Sequence, residues 1–168
     1  MPQRQPIHDD VDEIVAAWRR ERPDLDPEPL HVFSRLSRLA RRLDLDRATA
    51  FGDHGIDGWE FDVLSALRRA GAPYELSPGR LVQETLVTSG TMTNRIDRLA
   101  AKGWVERTPS PSDRRGVIVR LTETGRAAVD GAMADLITRE RDLLAELSET
   151  ETGELTALLR RLLAPFEC

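Results

Sequence analysis

The sequence predicts a mainly α-helical chain with one small β-hairpin. Apolar residues recur at three- and four-residue steps along most of the 168 residues, which is the period of amphipathic helices. Residues 104–121 change instead to the alternating pattern that is typical of strands. The length corresponds to a single domain at roughly 150 residues per domain, so the helices and the hairpin are expected to share one core.

Two helices are predicted before residue 50. Asp10 and Glu13 have the spacing of a capping box and predict a first helix that ends near Pro23. Asp26 followed by Pro27 predicts the start of a second helix. Its residues 30–43 carry a long apolar stripe, with arginines on the other faces.

Three further helices are predicted between residues 58 and 103. Residues 51–58 are rich in glycine and predict a loop, after which residues 59–67 predict a third helix. Ser77 before a proline predicts a short fourth helix. Thr88 then opens a fifth helix, which ends at Gly103.

The remaining segment predicts a hairpin and two helices. Residues 104–108 and 116–121 predict two strands, and the seven residues between them form a loop too long for a two-residue hairpin turn. Thr122 caps a long sixth helix. Ser148 and Glu151 form a capping box for the last helix.

The order of these elements is that of a winged helix-turn-helix: helix, short helix, turn, polar-faced helix and basic hairpin. Three regions are predicted. Residues 1–50 contain an extra first helix and amino-terminal dimerisation helices, and residues 58–121 form the DNA-binding lobe. Residues 122–168 form the carboxyl-terminal dimerisation helices. Two apolar stripes at opposite ends of a short chain exceed what one small lobe can cover, so we expect a homodimer.

The charge distribution points to DNA even though the whole chain carries −5. Residues 88–120 contain seven basic and three acidic residues, a net charge of +4, which leaves −9 for the remainder. Such polarity orients a protein on an anionic polymer, with the acidic part turned away from it.

The fifth helix and the hairpin loop present side chains that suit double-stranded DNA. A helix-turn-helix places its second helix in the major groove, where hydroxyl groups contact phosphates, an Asn amide pairs with adenine and an Arg pairs with guanine. Basic residues of the loop reach the minor groove. The candidate contacts are Ser89, Thr91, Thr93, Asn94 and Arg98 on the helix, with Arg114 and Arg115 in the loop. The alternatives are a solvated helix beside an ordinary hairpin, and a winged-helix protein-interaction module.

The sequence gives no support for an enzyme, a metalloprotein or a membrane protein. It contains no Gly-x-Ser-x-Gly motif and no zinc-ligand spacing, and its single cysteine, Cys168, cannot form an intrachain disulfide. His54, beside Asp53 and Asp57, is the best remaining candidate for metal or acid–base chemistry, but its glycine-rich surroundings favour a surface histidine. Without a secretory signal or an apolar run of roughly 18 residues, we expect a cytoplasmic protein that needs no cofactor and no metal.

Three short segments resemble the MarR family of bacterial transcription regulators. They are residues 99–107 (LAAKGWVER), 113–116 (DRRG) and 121–125 (LTETG), and the similarity extends over residues 58–128. The resemblance implies a homodimer, built here from the second, sixth and seventh helices, whose two winged lobes read a pseudo-palindromic operator. It also implies repression that a small ligand relieves.

A narrower resemblance links the chain to the urate-responsive subgroup of that family. It rests on the extra first helix with its tryptophan and on residues 59–71 and 92–99. The residues that this resemblance implies for ligand binding and its transmission to DNA are Trp18, Asp62, Arg95 and Arg107. The simpler alternatives are that Trp18 belongs to the dimer core and that Asp62 forms a structural salt bridge with Arg95. A response to phenolic carboxylates or drugs is the alternative to urate. Oxidant sensing through a thiol is disfavoured because Cys168 lies at the carboxyl end.

Overall fold

A computed structural model describes residues 8–109 and 116–166. The chain divides into two compact units, residues 1–45 and 46–168. The elements are α1 (Asp10–Glu21), α2 (Leu30–Gly52), α3 (Gly58–Arg69), β1 (Glu75–Leu76), α4 (Pro78–Thr85), α5 (Ser89–Ala101), β2 (Val105–Pro109), β3 (Val117–Leu121), α6 (Glu123–Leu144), α7 (Glu149–Leu163) and a short 3₁₀ helix (Ala164–Phe166). The predicted class, mainly helical with a small hairpin, is confirmed.

Helix α1 begins one residue earlier than the sequence predicted. Asp9, not Asp10, has extended backbone angles and accepts a hydrogen bond from the Val11 N–H, and Asp12 rather than Glu13 completes the capping box. Arg35 of α2 donates hydrogen bonds to Asp9 and Asp12 within the same unit. The Arg35 guanidinium lowers the pKa of the Asp9 carboxyl because it stabilises the charged form.

Helix α2 begins later and ends later than predicted. The Asp26 carboxylate accepts from the Glu28 N–H and forms a turn, and the helix starts only at Leu30. Pro29 explains the delay, because the residue that precedes a proline disfavours the helical conformation. At the other end the helix continues to Gly52, into the predicted loop, since Phe51 is buried and stacks on Phe61 with ring centroids 4.1 Å apart.

The core of the second unit lies between α3, α4, α5, the sheet and α6. Its fully buried side chains include Leu64, Leu67, Leu81, Met92, Ile96 and Leu99. Gly125, in the first turn of α6, makes this packing possible. A Cβ at that position would collide with the Trp104 carbonyl group, whose carbon would lie only 2.9 Å away.

The hairpin is part of a three-stranded antiparallel sheet with the strand order β1-β3-β2. Strands β2 and β3 lie within one residue of their predicted bounds, and Val105 pairs with Leu121. The sequence did not predict β1, because two residues are too few to show an alternating pattern. The loop residues Arg114 and Arg115 lie outside the described part of the chain.

The terminal helices carry many exposed apolar side chains. Large examples on α2 are Val32, Phe33, Leu36, Leu39 and Leu45, and those on α6 and α7 are Ile137, Leu143, Leu144, Leu155, Leu158, Leu162 and Leu163. No residue of α7 is buried. Within residues 8–109 and 116–166, no helix is long and apolar enough to cross a membrane.

Candidate nucleic-acid interface

Helix α5 packs one face into the core and leaves a polar face open to solvent. Met92, Ile96 and Leu99 are buried, and they recur at helical spacing because each occupies the inner side. The predicted DNA-contacting residues of this helix, Ser89, Thr91, Thr93, Asn94 and Arg98, are all exposed. The structure therefore places these five side chains together on one accessible surface.

Hydroxyl groups organise the amino-terminal turn of α5. Thr88 is the N-cap, and its Oγ1 accepts from the Thr91 N–H and lies 2.9 Å from the Thr91 hydroxyl oxygen. The Thr93 hydroxyl donates to the Ser89 carbonyl at 3.1 Å. The first turn of a helix concentrates partial positive charge and free N–H groups, which suit a phosphate.

Two arginines of α5 lie over one tryptophan of α3. The guanidinium carbon of Arg98 is 4.6 Å from the centroid of the Trp59 ring, and that of Arg95 is 5.5 Å away. Together with Gly90, Thr91 and Asn94 these residues line an open cleft of about 520 Å³. Among the described residues, neither arginine forms an ion pair with a carboxylate. The cleft is therefore positively charged.

Arg107 connects the first strand of the hairpin to helix α5. Its guanidinium forms an ion pair with Asp97 at 2.7 Å and donates a hydrogen bond to the Thr93 carbonyl at 3.4 Å. The side chain thus braces α5, because it binds two residues of that helix. It was predicted from the family resemblance as a ligand-coupling residue, and its position between strand and helix is compatible with that role.

Lys102 fixes the carboxyl end of α5. Its ammonium lies 2.6 Å from Oε1 and 2.8 Å from Oε2 of Glu60, whose side chain is fully buried. The same ammonium lies 4.4 Å from the centroid of the Trp104 ring. Glu60 also accepts from the Asp57 N–H, so a single carboxylate joins the start of α3 to the end of α5.

Neither of the other two ligand candidates lines the cleft around Trp59. Asp62 is exposed, on the side of α3 away from the core, and lines a second cleft of about 290 Å³ with Ser65, Arg69 and Glu84. The salt bridge that the sequence suggested between Asp62 and Arg95 does not occur, because Arg95 contacts Trp59 instead. Trp18, in the first unit, is 48% exposed and lines a cavity of about 340 Å³ together with Ile14 and Ala17.

His54 is partly exposed, in keeping with the expected surface position, but its ring is also held by α6. It is half-buried, and its Nε2 lies 2.7 Å from Asp135, a residue 81 positions further along the chain. Its ring packs on Gly131, where an added Cβ would come within 2.7 Å of it. Within the described ranges no group of three or more His, Cys, Asp and Glu side chains could hold a metal ion.

Two residues important to this surface were not predicted as functional. Trp59 appeared in the sequence as an apolar position of the third helix and within the segment 59–71 that carries the narrower resemblance, but with no role of its own. Glu60 could have been found, because Asp57 and Glu60 have capping-box spacing and form that box in the structure. Nothing in the sequence pairs either residue with α5, since those contacts arise only when α3 and α5 pack together.

A capped helix with a polar and basic outer face, preceded by a short helix and followed by an antiparallel hairpin, defines a winged helix-turn-helix DNA-binding protein. Comparison with known proteins agrees with this class. The sequence pattern of the MarR family matches residues 54–116. The chain is 41% identical over 152 residues to the HTH-type transcriptional regulator PecS of Dickeya dadantii (strain 3937). This match covers 90% of this chain and 92% of PecS.

Solved structures agree as well. A cysteine-to-serine mutant of MarR from E. coli in complex with operator DNA superposes with a TM-score of 0.66 at 30% identity, covering 82% of this chain and 96% of MarR. Bordetella bronchiseptica BpsR, whose DNA binding is regulated by 6-hydroxynicotinic acid, superposes with a TM-score of 0.64 at 28% identity, covering 78% and 91%. The chain belongs to the MarR family of DNA-binding transcription regulators and is not an enzyme.

Proposed function

We propose that this protein is a sequence-specific repressor that binds a pseudo-palindromic operator as a homodimer and is released by a small planar anion. The observation that carries the proposal is the outer face of α5. This face exposes hydroxyl, amide and guanidinium groups, and among the described residues its two arginines lack carboxylate partners. Such unneutralised donors are what phosphates and guanine bases require.

Each DNA contact has a specific chemical role. Ser89, Thr91 and the free N–H groups of the first turn bind phosphate, which sets the register of the helix in the major groove. Thr93, whose hydroxyl hydrogen is donated to the Ser89 carbonyl, offers only its lone pairs, and we assign it to a base donor or a bridging water. Asn94 and Arg98 read base edges, adenine and guanine respectively. Arg114 and Arg115 of the hairpin loop are assigned to the minor groove from the sequence.

The dimer is assigned to the apolar stripes of the terminal helices. Stripes of exposed leucines on α2, α6 and α7 are larger than the scattered apolar residues of ordinary monomer surfaces. A two-fold dimer with two lobes requires half-sites about one helical turn apart, or about 10 base pairs. Sedimentation at micromolar concentration tests this assignment, and a stable monomer would contradict it.

The decisive experiment for DNA binding is protection mapping of the DNA upstream of the protein's own gene. We expect a protected, two-fold symmetric site that is bound far better than competitor DNA. Arg98→Ala should weaken that binding, whereas Arg141→Ala, an exposed arginine of α6, serves as the matched control. If no site is preferred over competitor DNA, the chain is a winged-helix module for protein interaction.

We assign release from DNA to the binding of a flat anionic ligand, and we favour urate or a related purine. Guanidinium groups beside an aromatic ring hold such a molecule by charge-assisted hydrogen bonds and stacking. Arg95 lies on α5 and Arg107 braces it, so a ligand that moves either residue changes the DNA-binding surface. The regulation of BpsR by 6-hydroxynicotinic acid, a planar aromatic acid, supports the same ligand class.

Ligand and operator should oppose each other reciprocally. For a typical coupling of about 1 to 3 kcal/mol, each weakens the binding of the other by a factor of about 5 to 150. Titration of the protein–operator complex with urate, xanthine and a phenolic carboxylate identifies the ligand, and tryptophan fluorescence should change on binding if Trp18 lines the ligand site. Asp62→Asn should blunt release by urate if the carboxylate is repelled by the incoming anion. Release by the phenolic carboxylate alone would replace urate with that class.

A further inference from the structure

Trp59 occupies an unusual place between the core and the outer face of α5. It is the second residue of α3, is half-buried, and packs against the buried cluster of the second unit. Its ring also carries two guanidinium groups, those of Arg98 at 4.6 Å and Arg95 at 5.5 Å. The indole is thus fixed by the core and presents its π system to both basic residues of the polar face.

Other arginines of the same lobe are held differently. Arg107 is bound by Asp97 at 2.7 Å and Arg120 by Glu75 at 2.8 Å. A carboxylate partner of this kind neutralises the charge and occupies N–H donors. An aromatic ring attracts a guanidinium through its quadrupole, restricts its orientation and leaves all five N–H donors free at the edge.

We propose that Trp59 is a positioning residue for operator recognition. It holds Arg98, and less closely Arg95, in the orientation that faces DNA while leaving their charge and N–H donors available. This inference rests on the proposed DNA-binding function and explains how two like charges share one cleft without a carboxylate between them. Trp59 acts through the arginines and needs no contact with DNA.

The test is a double-mutant cycle measured by operator binding. Trp59→Leu removes the π face but keeps an apolar side chain against the core, and we expect it to weaken operator binding about 5- to 10-fold. In an Arg95→Ala, Arg98→Ala background the same substitution should change affinity less than about 2-fold, because there is no guanidinium left to position. Trp59→Phe, which retains a π face, should recover most of the wild-type affinity.

The outcomes separate the possible failures. If Trp59→Leu lowers operator affinity equally in the wild-type and the Arg95→Ala, Arg98→Ala backgrounds, the ring acts only through packing of the lobe. If it leaves the affinity of the otherwise wild-type protein unchanged, the ring is not needed. Thermal unfolding of each variant checks the fold, and if Trp59→Leu unfolds, the cycle is repeated with Trp59→Phe and Trp59→Met. If wild-type protein itself selects no operator, the proposed function fails and not this inference.

Discussion

Removing the ammonium of Lys102 should destabilise the lobe more than the removal of an ordinary surface cation. In Lys102→Met the apolar stem is kept, but Glu60 remains as a fully buried carboxylate whose Oε1 loses the ammonium at 2.6 Å. Breaking a buried ion pair costs about 3–5 kcal/mol because an uncompensated charge stays behind. Here the cost is lower, since the Lys102 side chain is 41% exposed and Glu60 keeps its bond from the Asp57 N–H.

We expect a loss of about 2–3 kcal/mol in the free energy of unfolding. For a chain of this size that corresponds to a decrease in Tm of about 4–12 °C. Thermal and urea unfolding followed by circular dichroism, at one fixed protein concentration, measure the loss. Arg80→Met is the matched control, because its pair with Glu84 lies on the surface of α4 and should contribute about 0.5 kcal/mol or less.

A second substitution identifies the cause. Adding Glu60→Gln to Lys102→Met removes the buried charge and should recover at least half of the lost stability. The reasoning is refuted if Lys102→Met is no more destabilising than Arg80→Met. It is also refuted if Glu60→Gln lowers the stability of the Lys102→Met variant further, since the carboxylate would then not be the group left without a partner.

Three other substitutions test separate parts of the structure. Gly125→Ala should cost at least about 2 kcal/mol by collision with the Trp104 carbonyl, whereas Gly153→Ala, with open space around it, should be neutral or stabilising in the same unfolding assay. Arg35 keeps the pKa of Asp9 below its usual 3.8, so their interaction stabilises the fold only while Asp9 is ionised. The difference in unfolding free energy between wild type and Arg35→Ala should therefore be largest above pH 3.8 and disappear as acid protonates Asp9; a pH-independent difference would contradict this. Arg115→Ala should weaken operator binding and reduce the slope of log affinity against log salt, by about one unit if the side chain neutralises a phosphate and by less if it inserts into the minor groove; an unchanged affinity would place that residue off the DNA.

Local chemistry explains why so much of the fold was predictable. The caps Thr88, Thr122 and Ser148 each bond to a backbone N–H three residues away, so the sequence window that contains the cap also contains its partner. The hairpin was predictable for a similar reason, because the alternation of apolar and polar residues within each strand identifies both strands of the pair. The predicted helix starts at Asp10 and Asp26 were wrong because neighbouring residues could also cap or delay the helix: Asp9 caps α1, and α2 starts only after Pro29.

The features that were not predictable depend on contacts between distant segments. The contact of His54 with Asp135 was not predicted, because Asp135 lies on α6, far along the chain. Trp59 reads as a core position by periodicity, and its second role appears only once α5 crosses it. A structural salt bridge between Asp62 and Arg95 was one expectation, but the core-facing positions of α3 are taken by Phe61, Val63 and Leu64, and Asp62 is exposed.

The brace made by Arg107 has a consequence for the DNA sequence that the protein can accept. Strand β2 follows α5 after only three residues, and Arg107 returns from the strand to Asp97 and the Thr93 carbonyl. In the proposed mode of DNA binding, this contact fixes the distance between the part of the duplex that faces α5 and the part that faces the hairpin. Inserting a single base pair inside a half-site, between the segment read by α5 and the segment beside the hairpin, should abolish simultaneous contact, whereas changes of base identity between the two segments should be tolerated.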